Sequence, residues 1–244
     1  EQVSHLLYLI PPALMVGAPV GLIFIQPDLG TALLLAATGA IMIFVAGLSW
    51  RIGFLGIVGA IAGGYAAYRF DVLKEYQLRR ITTFLDPERD PLGQGYHLLQ
   101  SKTGIGSGGL TGKGFMEGTQ AQLKFLPEMQ TDFIFTVFGE EFGFVGAVGL
   151  LLLYLAVIFA GLSIAMQSKL HFARMMTIGV VATFTLYVLI NTGMVMGLAP
   201  VVGVPLPLVS YGGMVMLTIM AGFGLVMSAY VHRDQDMYRS GDSL

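Results

Sequence analysis

Apolar residues in this chain run in long blocks rather than alternating with the two-residue period of a half-buried strand. Six stretches carry no Asp, Glu, Lys or Arg: Leu6–Ile25, Leu29–Leu48, Ile52–Tyr68, Phe142–Met166, Met175–Met196 and Met214–Val231. Each holds 17 to 25 residues, and together they make up half of the 244. At a rise of ~1.5 Å per residue, ~20 helical residues cross the ~30 Å hydrocarbon layer of a bilayer. The pattern predicts an all-α, polytopic transmembrane bundle. Spans one to three would lie in 1–70, a long loop in 71–131, and spans four to six with a short tail in 132–244.

Composition strengthens that reading. Hydrophobic residues make up 55% and charged residues 11%, against about a quarter charged in a soluble domain. A secretory signal would be one short apolar stretch near a start methionine. Here the first of six begins shortly after Glu1, so the chain is expected to be truncated at its front. With no cysteine, disulfides, thiolate metal sites and cysteine nucleophiles are excluded. A net charge of −2 argues against a nucleic-acid partner.

Basic residues near span ends stay in the cytoplasm. Arg51, Lys169, Arg174, Arg233 and Arg239 all fall at one end of the predicted spans, while Gln26–Asp28 and Gly197–Gly213 hold no Lys or Arg. Both termini are therefore expected inside, with 71–131 outside. Seven basic residues in that loop (Lys74, Arg79, Arg80, Arg89, Lys102, Lys113, Lys124) are balanced by seven acids, and loops of about this length escape the charge rule. So long a loop implies function or disorder, and its recurrent Leu, Ile, Phe and Tyr argue against disorder. We expect short helices around Lys74–Leu85 and Tyr96–Lys102, a Pro-bounded turn at Asp86–Pro91, and a lid or groove resting on the bilayer or the bundle.

The run Gly104–Gly114 invites a phosphate-loop reading. Aligned on Lys113, that motif would have Ser107 for its first glycine and Gly114 for its closing Ser or Thr, and no strand precedes it, so a nucleotide site is disfavoured. Two readings stay open: a flexible linker, or backbone N–H groups and Lys113 touching a phosphate. Further on, Pro127 bars helix before it, and Thr131 or Asp132 can cap a helix resuming at Phe133. As a cap, Asp132 would be purely structural; as a carboxylate facing outside water, it could do chemistry. Glu140 and Glu141 follow about 12 Å along such a helix, at or below the headgroups. Carboxylates there mark a site, a cavity or a salt bridge, for which Arg79 or Arg80 would serve. Asn191, Thr192 and Ser210 read as interhelical hydrogen-bonding groups. Gly17–Gly21, Gly59–Gly63 and Gly193–Gly197 have the spacing for close helix approach.

Gln26-Pro-Asp-Leu-Gly-Thr31, Asp86-Pro-Glu-Arg-Asp-Pro91, Gly104–Gly114, Leu126-Pro-Glu-Met-Gln-Thr-Asp-Phe133, Gly139-Glu-Glu-Phe-Gly143 and Pro205-Leu-Pro-Leu-Val-Ser-Tyr-Gly-Gly213 occur in that order. In combination they resemble the SEDS family (shape, elongation, division and sporulation), and its elongation branch more than its division branch. The match runs the whole chain and corresponds to the last six of about ten spans. The resemblance implies a peptidoglycan glycosyltransferase of the bacterial cytoplasmic membrane that polymerises lipid II at the outer face during cell elongation. Its partners would be a class B penicillin-binding protein transpeptidase and other elongation-complex membrane proteins. The family's essential acid maps onto Asp132, and Glu128 and Thr131 belong to the same motif.

Joining two lipid-linked disaccharides requires a base for the attacking hydroxyl, whereas the pyrophosphate departs without a strong acid; the pair of carboxylates needed for glycoside hydrolysis is unnecessary. Asp132 is the candidate base. Lys102, Lys113, Glu128, Thr131, Glu140 and Ser210 are the substrate-binding candidates, the lysines to offset pyrophosphate charge, a task a divalent cation such as Mg or Mn could share. A helix N-terminus keeps such a carboxylate ionised but weakens it as a base. Two rival readings are a lipid II transporter lined by Glu140, Glu141 and Asn191, and a non-catalytic scaffold for the penicillin-binding protein.

Overall fold

A computed structural model describes residues 6–26, 28–70, 74–90, 93–119 and 130–234, and their regular structure is all helix, joined by turns, with no strand among the described residues. Helices α1 (Leu6–Ile25), α2 (Leu29–Val45) and α3 (Trp50–Arg69) precede the loop. Within the loop lie α4 (Glu75–Leu85), a single 3₁₀ turn (Pro87–Arg89) and α5 (Gln94–Ser107). Beyond it come α6 (Ile134–Gln167), α7 (His171–Val195) and α8 (Gly213–Val231). By length and composition α3, α6, α7 and α8 can each cross a membrane, while α2 and the Leu9–Ile25 part of α1 are apolar but shorter.

The core sits among α6, α7, α8 and the 196–212 segment, where Phe135, Tyr154, Phe184, Val188, Val204, Leu206 and Ile219 pack together. Close approach is set by glycine. A Cβ at Gly161 would meet Val181, one at Gly39 would meet Val16, and one at Gly222 would come 3.0 Å from Val180. Of the pairs that spacing singled out, Gly17, Gly21, Gly59 and Gly63 have nothing within 4 Å, whereas Gly197 lies against Lys102 and Leu98 of α5. The small-residue spacing marks a smooth helix face and cannot say which face meets a neighbour. Helix α3 has no buried residue.

One end of the bundle gathers the basic groups: Lys169 N–H donates to the Arg233 carbonyl at 3.2 Å. The other end gathers the start of α2, the turn before α6 and the 196–212 segment, for Gly30 lies against the Val202 carbonyl and Tyr211 N–H donates to Gln130 at 2.7 Å.

The loop is built on an ion pair. Arg79 Nη2 is 2.7 Å from Asp90 Oδ1 and Nε is 3.3 Å from Oδ2, and Gln94 N–H donates to Oδ2 at 3.1 Å, so Asp90 ties α4 to the start of α5. The expected second helix extends further than the sequence suggested. It takes in Gly104 and Gly106 and ends only at Ser107.

The main departure lies in α6. Its 34 residues would span about 51 Å as one rod, too long for hydrocarbon, but at Gly143 the backbone takes φ 67° and ψ −165° and the helix breaks. The part after the break, 144–167, closely matches the charge-free stretch Phe142–Met166 and is long enough to cross on its own. The part before it, Ile134–Phe142, lies on the loop side and packs beside α5. Broken helical hydrogen bonds are replaced by the Gly-rich run. Lys113 and Gly114 N–H groups donate to the Glu140 and Glu141 carbonyls, both at 3.1 Å. Phe144 and Val145 N–H groups donate to the Gly109 and Leu110 carbonyls at 2.9 and 3.1 Å. The run is neither a loose linker nor a phosphate cradle, since the amides of Gly112, Lys113 and Gly114 are already bonded within the protein.

Two outcomes test this. A Cβ at Gly108 would collide with the Gly139 carbonyl oxygen, whereas Gly106 has open space. Gly108→Ala should therefore cost about 1–3 kcal/mol, and Gly106→Ala should be neutral or stabilising by up to about 1 kcal/mol, as read by thermal melting in detergent. The second concerns acid. The Arg79 hydrogen bond, opposed by burial and aided by the guanidinium charge and by the Gln94 and Gly95 amides, holds the Asp90 carboxyl below its ordinary 3.8. A depressed carboxyl contributes stability that is present above its unfolded value and lost as pH falls through the lower folded value. The pair's contribution to the melting temperature should be full and independent of pH near neutrality and be lost below about pH 4, and Asp90→Asn should lower the neutral value and flatten the acid limb.

Candidate functional site

Asp132 lies in the turn that feeds α6, which opens at Ile134 with Phe133 at its cap position, one residue later than the sequence suggested. The turn is held from two sides. Asn191, fully buried on α7, donates through Nδ2 to the Asp132 carbonyl at 2.8 Å and to the Val204 carbonyl at 2.6 Å. Ser210 Oγ donates to the Thr131 carbonyl at 2.5 Å and accepts from Leu206 N–H at 2.7 Å. Both residues act as the hydrogen-bonding struts expected of them, and Ser210 reaches the motif through its backbone. Asp132 itself is half-buried. Its carboxylate lies over Gly203, where a Cβ would come 3.4 Å from Oδ2 and the backbone φ is +76°. Glycine there leaves room over the acid.

Helix α5 runs parallel to the start of α6. His97 faces the Phe133 ring at 6.5 Å, Ser101 Oγ is 2.6 Å from Thr136 Oγ1, and Ile105 lies against Gly139. Ser101 also donates to the Val195 carbonyl at 2.8 Å, binding α5 to α7. Lys102 follows directly, exposed, with its ammonium end across the backbone of Gly197, where a Cβ would fall 2.6 Å from Nζ. Lys102 is thus about one helical turn from the level of Asp132.

Lys113 is placed differently. Its Nζ is 2.6 Å from Glu140 Oε1 and donates to Thr119 Oγ1 at 2.9 Å, and Thr119 donates to the same carboxylate oxygen at 2.9 Å. Glu140 has no exposed surface. Its cation is Lys113 rather than the expected Arg79 or Arg80, because the Gly-rich run brings Lys113 to the break while Arg79 is taken by Asp90. Glu140 stands about 12 Å from Asp132 along the helix, so Lys113 is bound to the break and Lys102 is the cation nearer the aspartate. Glu128 lies outside the described residues, as do Lys124 and most of the stretch before Thr131. The sequence pointed to none of Ser101, Thr119, Thr136 or His97, since isolated small polar residues and a lone histidine carry no periodic signal.

Among the described residues no three His, Asp or Glu side chains gather as a metal cage. Between α6, α7 and the Pro-rich segment an apolar recess of about 150 Å³ is lined by Leu150, Leu153, Tyr154, Val157, Phe184, Leu208 and Val209.

Residues 2–235 match the FtsW/RodA/SpoVE model, described as cell cycle protein. The chain belongs to this family. Within it the chain is 51% identical to the peptidoglycan glycosyltransferase MrdB of Escherichia coli K12, over 88% of its own length and 58% of that protein. It is 42% identical to the peptidoglycan glycosyltransferase RodA of Treponema pallidum, over 73% and 41%. A chain of a solved peptidoglycan synthase complex, described as coordinating polymerization and crosslinking, matches with a TM-score of 0.80 at 34% identity, covering 96% of this chain and 64% of that one. The crystal structure of Thermus thermophilus RodA matches with a TM-score of 0.63 at 28% identity, covering 96% and 59%. The chain thus spans under two thirds of the family members it matches. Membership makes it a polytopic helical membrane protein.

Lys113 and Glu140 can be separated from chemistry by a double-mutant cycle. Lys113→Ala leaves a buried carboxylate without its cation and should cost about 3 kcal/mol. Adding Glu140→Gln should recover most of that loss in thermal melting. An additive double mutant would show that the two do not depend on each other.

Proposed function

We propose that the complete protein polymerises lipid II into glycan strands at the outer face of the bacterial cytoplasmic membrane, with Asp132 as general base. The observation that carries this reading is a half-buried carboxylate in a turn fixed by Asn191 and Ser210 at the end of the bundle away from the basic loops. A base must be held within hydrogen-bond reach of its proton, and a clamped turn beside an open glycine supplies such a mount. The naming of MrdB and RodA as peptidoglycan glycosyltransferases supports the same activity.

In the reaction, an acceptor sugar hydroxyl gives its proton to the Asp132 carboxylate as its oxygen bonds to the anomeric carbon of the donor. The bond from that carbon to the pyrophosphate breaks, and the polyprenyl pyrophosphate leaves with the electron pair. Lys102 is the chain's own cation for that leaving charge. A divalent cation would come with the pyrophosphate, as magnesium does when phosphate oxygens complete its shell. The sugar itself would cover Asp132 and remove water, raising the basicity that the helix end lowers. The apolar recess beside Tyr154 is suited to part of a prenyl chain. Assembly with a class B penicillin-binding protein fits the match to a synthase complex. The transporter reading draws less support, because Glu140 is paired with Lys113 and the Asn191 Nδ2 group donates to backbone carbonyls.

In the full-length protein, Asp132→Asn should lower lipid II polymerisation in proteoliposomes by about a hundredfold or more without lowering the melting temperature. Glycan synthesis at the wild-type rate would remove Asp132 as the base.

A further inference from the structure

Beside the break in α6 an apolar surface lies open. Leu110, within the Gly-rich run, and Phe115 and Met116, just after it, are 72%, 72% and 69% exposed. Phe142, Phe144 and Val145, which flank the break, are exposed as well. A contiguous apolar surface of this kind marks contact with a membrane or with another protein.

The backbone fixes its depth. Phe144 N–H donates to the Gly109 carbonyl at 2.9 Å and Val145 N–H to the Leu110 carbonyl at 3.1 Å, so Leu110 lies level with the first residues of the crossing segment 144–167. Phe115 faces the Phe142 ring at 6.3 Å, which sets it at the same level. At ~1.5 Å per residue the crossing segment is slightly longer than the ~30 Å of hydrocarbon, and its outer end therefore falls where acyl chains meet headgroups. Charge is kept off this surface. Lys113 is the only Asp, Glu, Lys or Arg between Lys102 and Glu117, and its ammonium is drawn 2.6 Å from the buried Glu140 carboxylate. Charge resumes at Glu117, which is exposed.

We propose that this segment is an interfacial anchor: Leu110, Phe115 and Met116 enter the acyl chains of the outer leaflet beside the break in α6 and hold the loop on the membrane surface. Lipid is the occupant because the patch continues, at the same depth, the exposed apolar wall that α6 presents at Phe144 and Val145. Amphipathic segments bind in this way with their apolar face about 5–10 Å into the boundary between headgroups and acyl chains. The anchor does not depend on the role of Asp132.

The test uses the full-length protein freed of any other cysteines, purified without a partner protein and placed in nanodiscs, with a nitroxide attached in turn to Leu110→Cys, Phe115→Cys and Met116→Cys. Phe159→Cys, exposed on the crossing segment, is the lipid reference, and Arg89→Cys, exposed on the 3₁₀ turn, is the water reference. Power saturation compares collisions with oxygen, which concentrates among acyl chains, and with a water-soluble nickel chelate. At least two of the three labels should favour oxygen, as position 159 does, and report a depth of about 5–10 Å below the headgroup boundary. Collision with nickel at the level of position 89 would place the segment in water and overturn the proposal. Shielding from both reagents would place it against protein, a second copy included, and overturn it equally. Since the three positions are read separately, a single variant that fails to fold leaves two to decide.

Discussion

A backbone N–H or C=O facing hydrocarbon has no water to bond, so a break in a membrane helix persists only where protein supplies the missing partners. Gly143 makes such a break, and the loop supplies four bonds across it: two from the Lys113 and Gly114 amides and two to the Gly109 and Leu110 carbonyls. The rest of the outer architecture depends on that exchange. It ends the crossing segment of α6 at the right length and tips the preceding turns into the loop. It also forces glycine at Gly112 and Gly143, where φ is +81° and +67° and a Cβ would strike the opposing backbone.

From the break, order spreads toward Asp132. Glu140 is buried beneath the loop with Lys113 and Thr119, fixing the loop against the short helix. Ser101 and Thr136 then join α5 to that helix, and Asn191 and Ser210 join its entry turn to α7 and the Pro-rich segment. A carboxylate mounted this way is rigid without being sealed. Catalysis by a single base depends on that combination, since a loosely held acid loses the geometric advantage of a fixed one.

Much of this was legible in the sequence, and the limits are physical. Charge-free stretches located the hydrocarbon-crossing part of α6 and the cap signal at Thr131–Asp132 located the helix before it, but nothing local marked the break between them at Gly143. Glycine-rich Gly104–Gly114 was conspicuous, but its partner is a backbone break some thirty residues away, and nothing local marks which glycine adopts positive φ. Asn191 and Ser210 were read as hydrogen-bonding groups, and so they are. Spacing misplaced the helix contacts to Gly17–Gly21 and Gly59–Gly63, since small residues permit a close approach without creating a neighbour. Lys113 was read as a cation for phosphate; its partner Glu140 was in plain view, but only folding brings the two together. His97 stayed invisible, for its contact with Phe133 is a property of surroundings and not of sequence.

The central claim is that the aspartate stands open to the outer aqueous face while its backbone is clamped. Cysteine labelling measures this most directly, because this chain has no cysteine of its own. In the full-length protein freed of any other cysteines, Asp132→Cys should react in intact cells with a membrane-impermeant maleimide and be shielded by lipid II, while a cysteine at Lys169 should react only after lysis. Labelling at position 132 only from the cytoplasmic side, or not at all in a folded protein, would contradict the account.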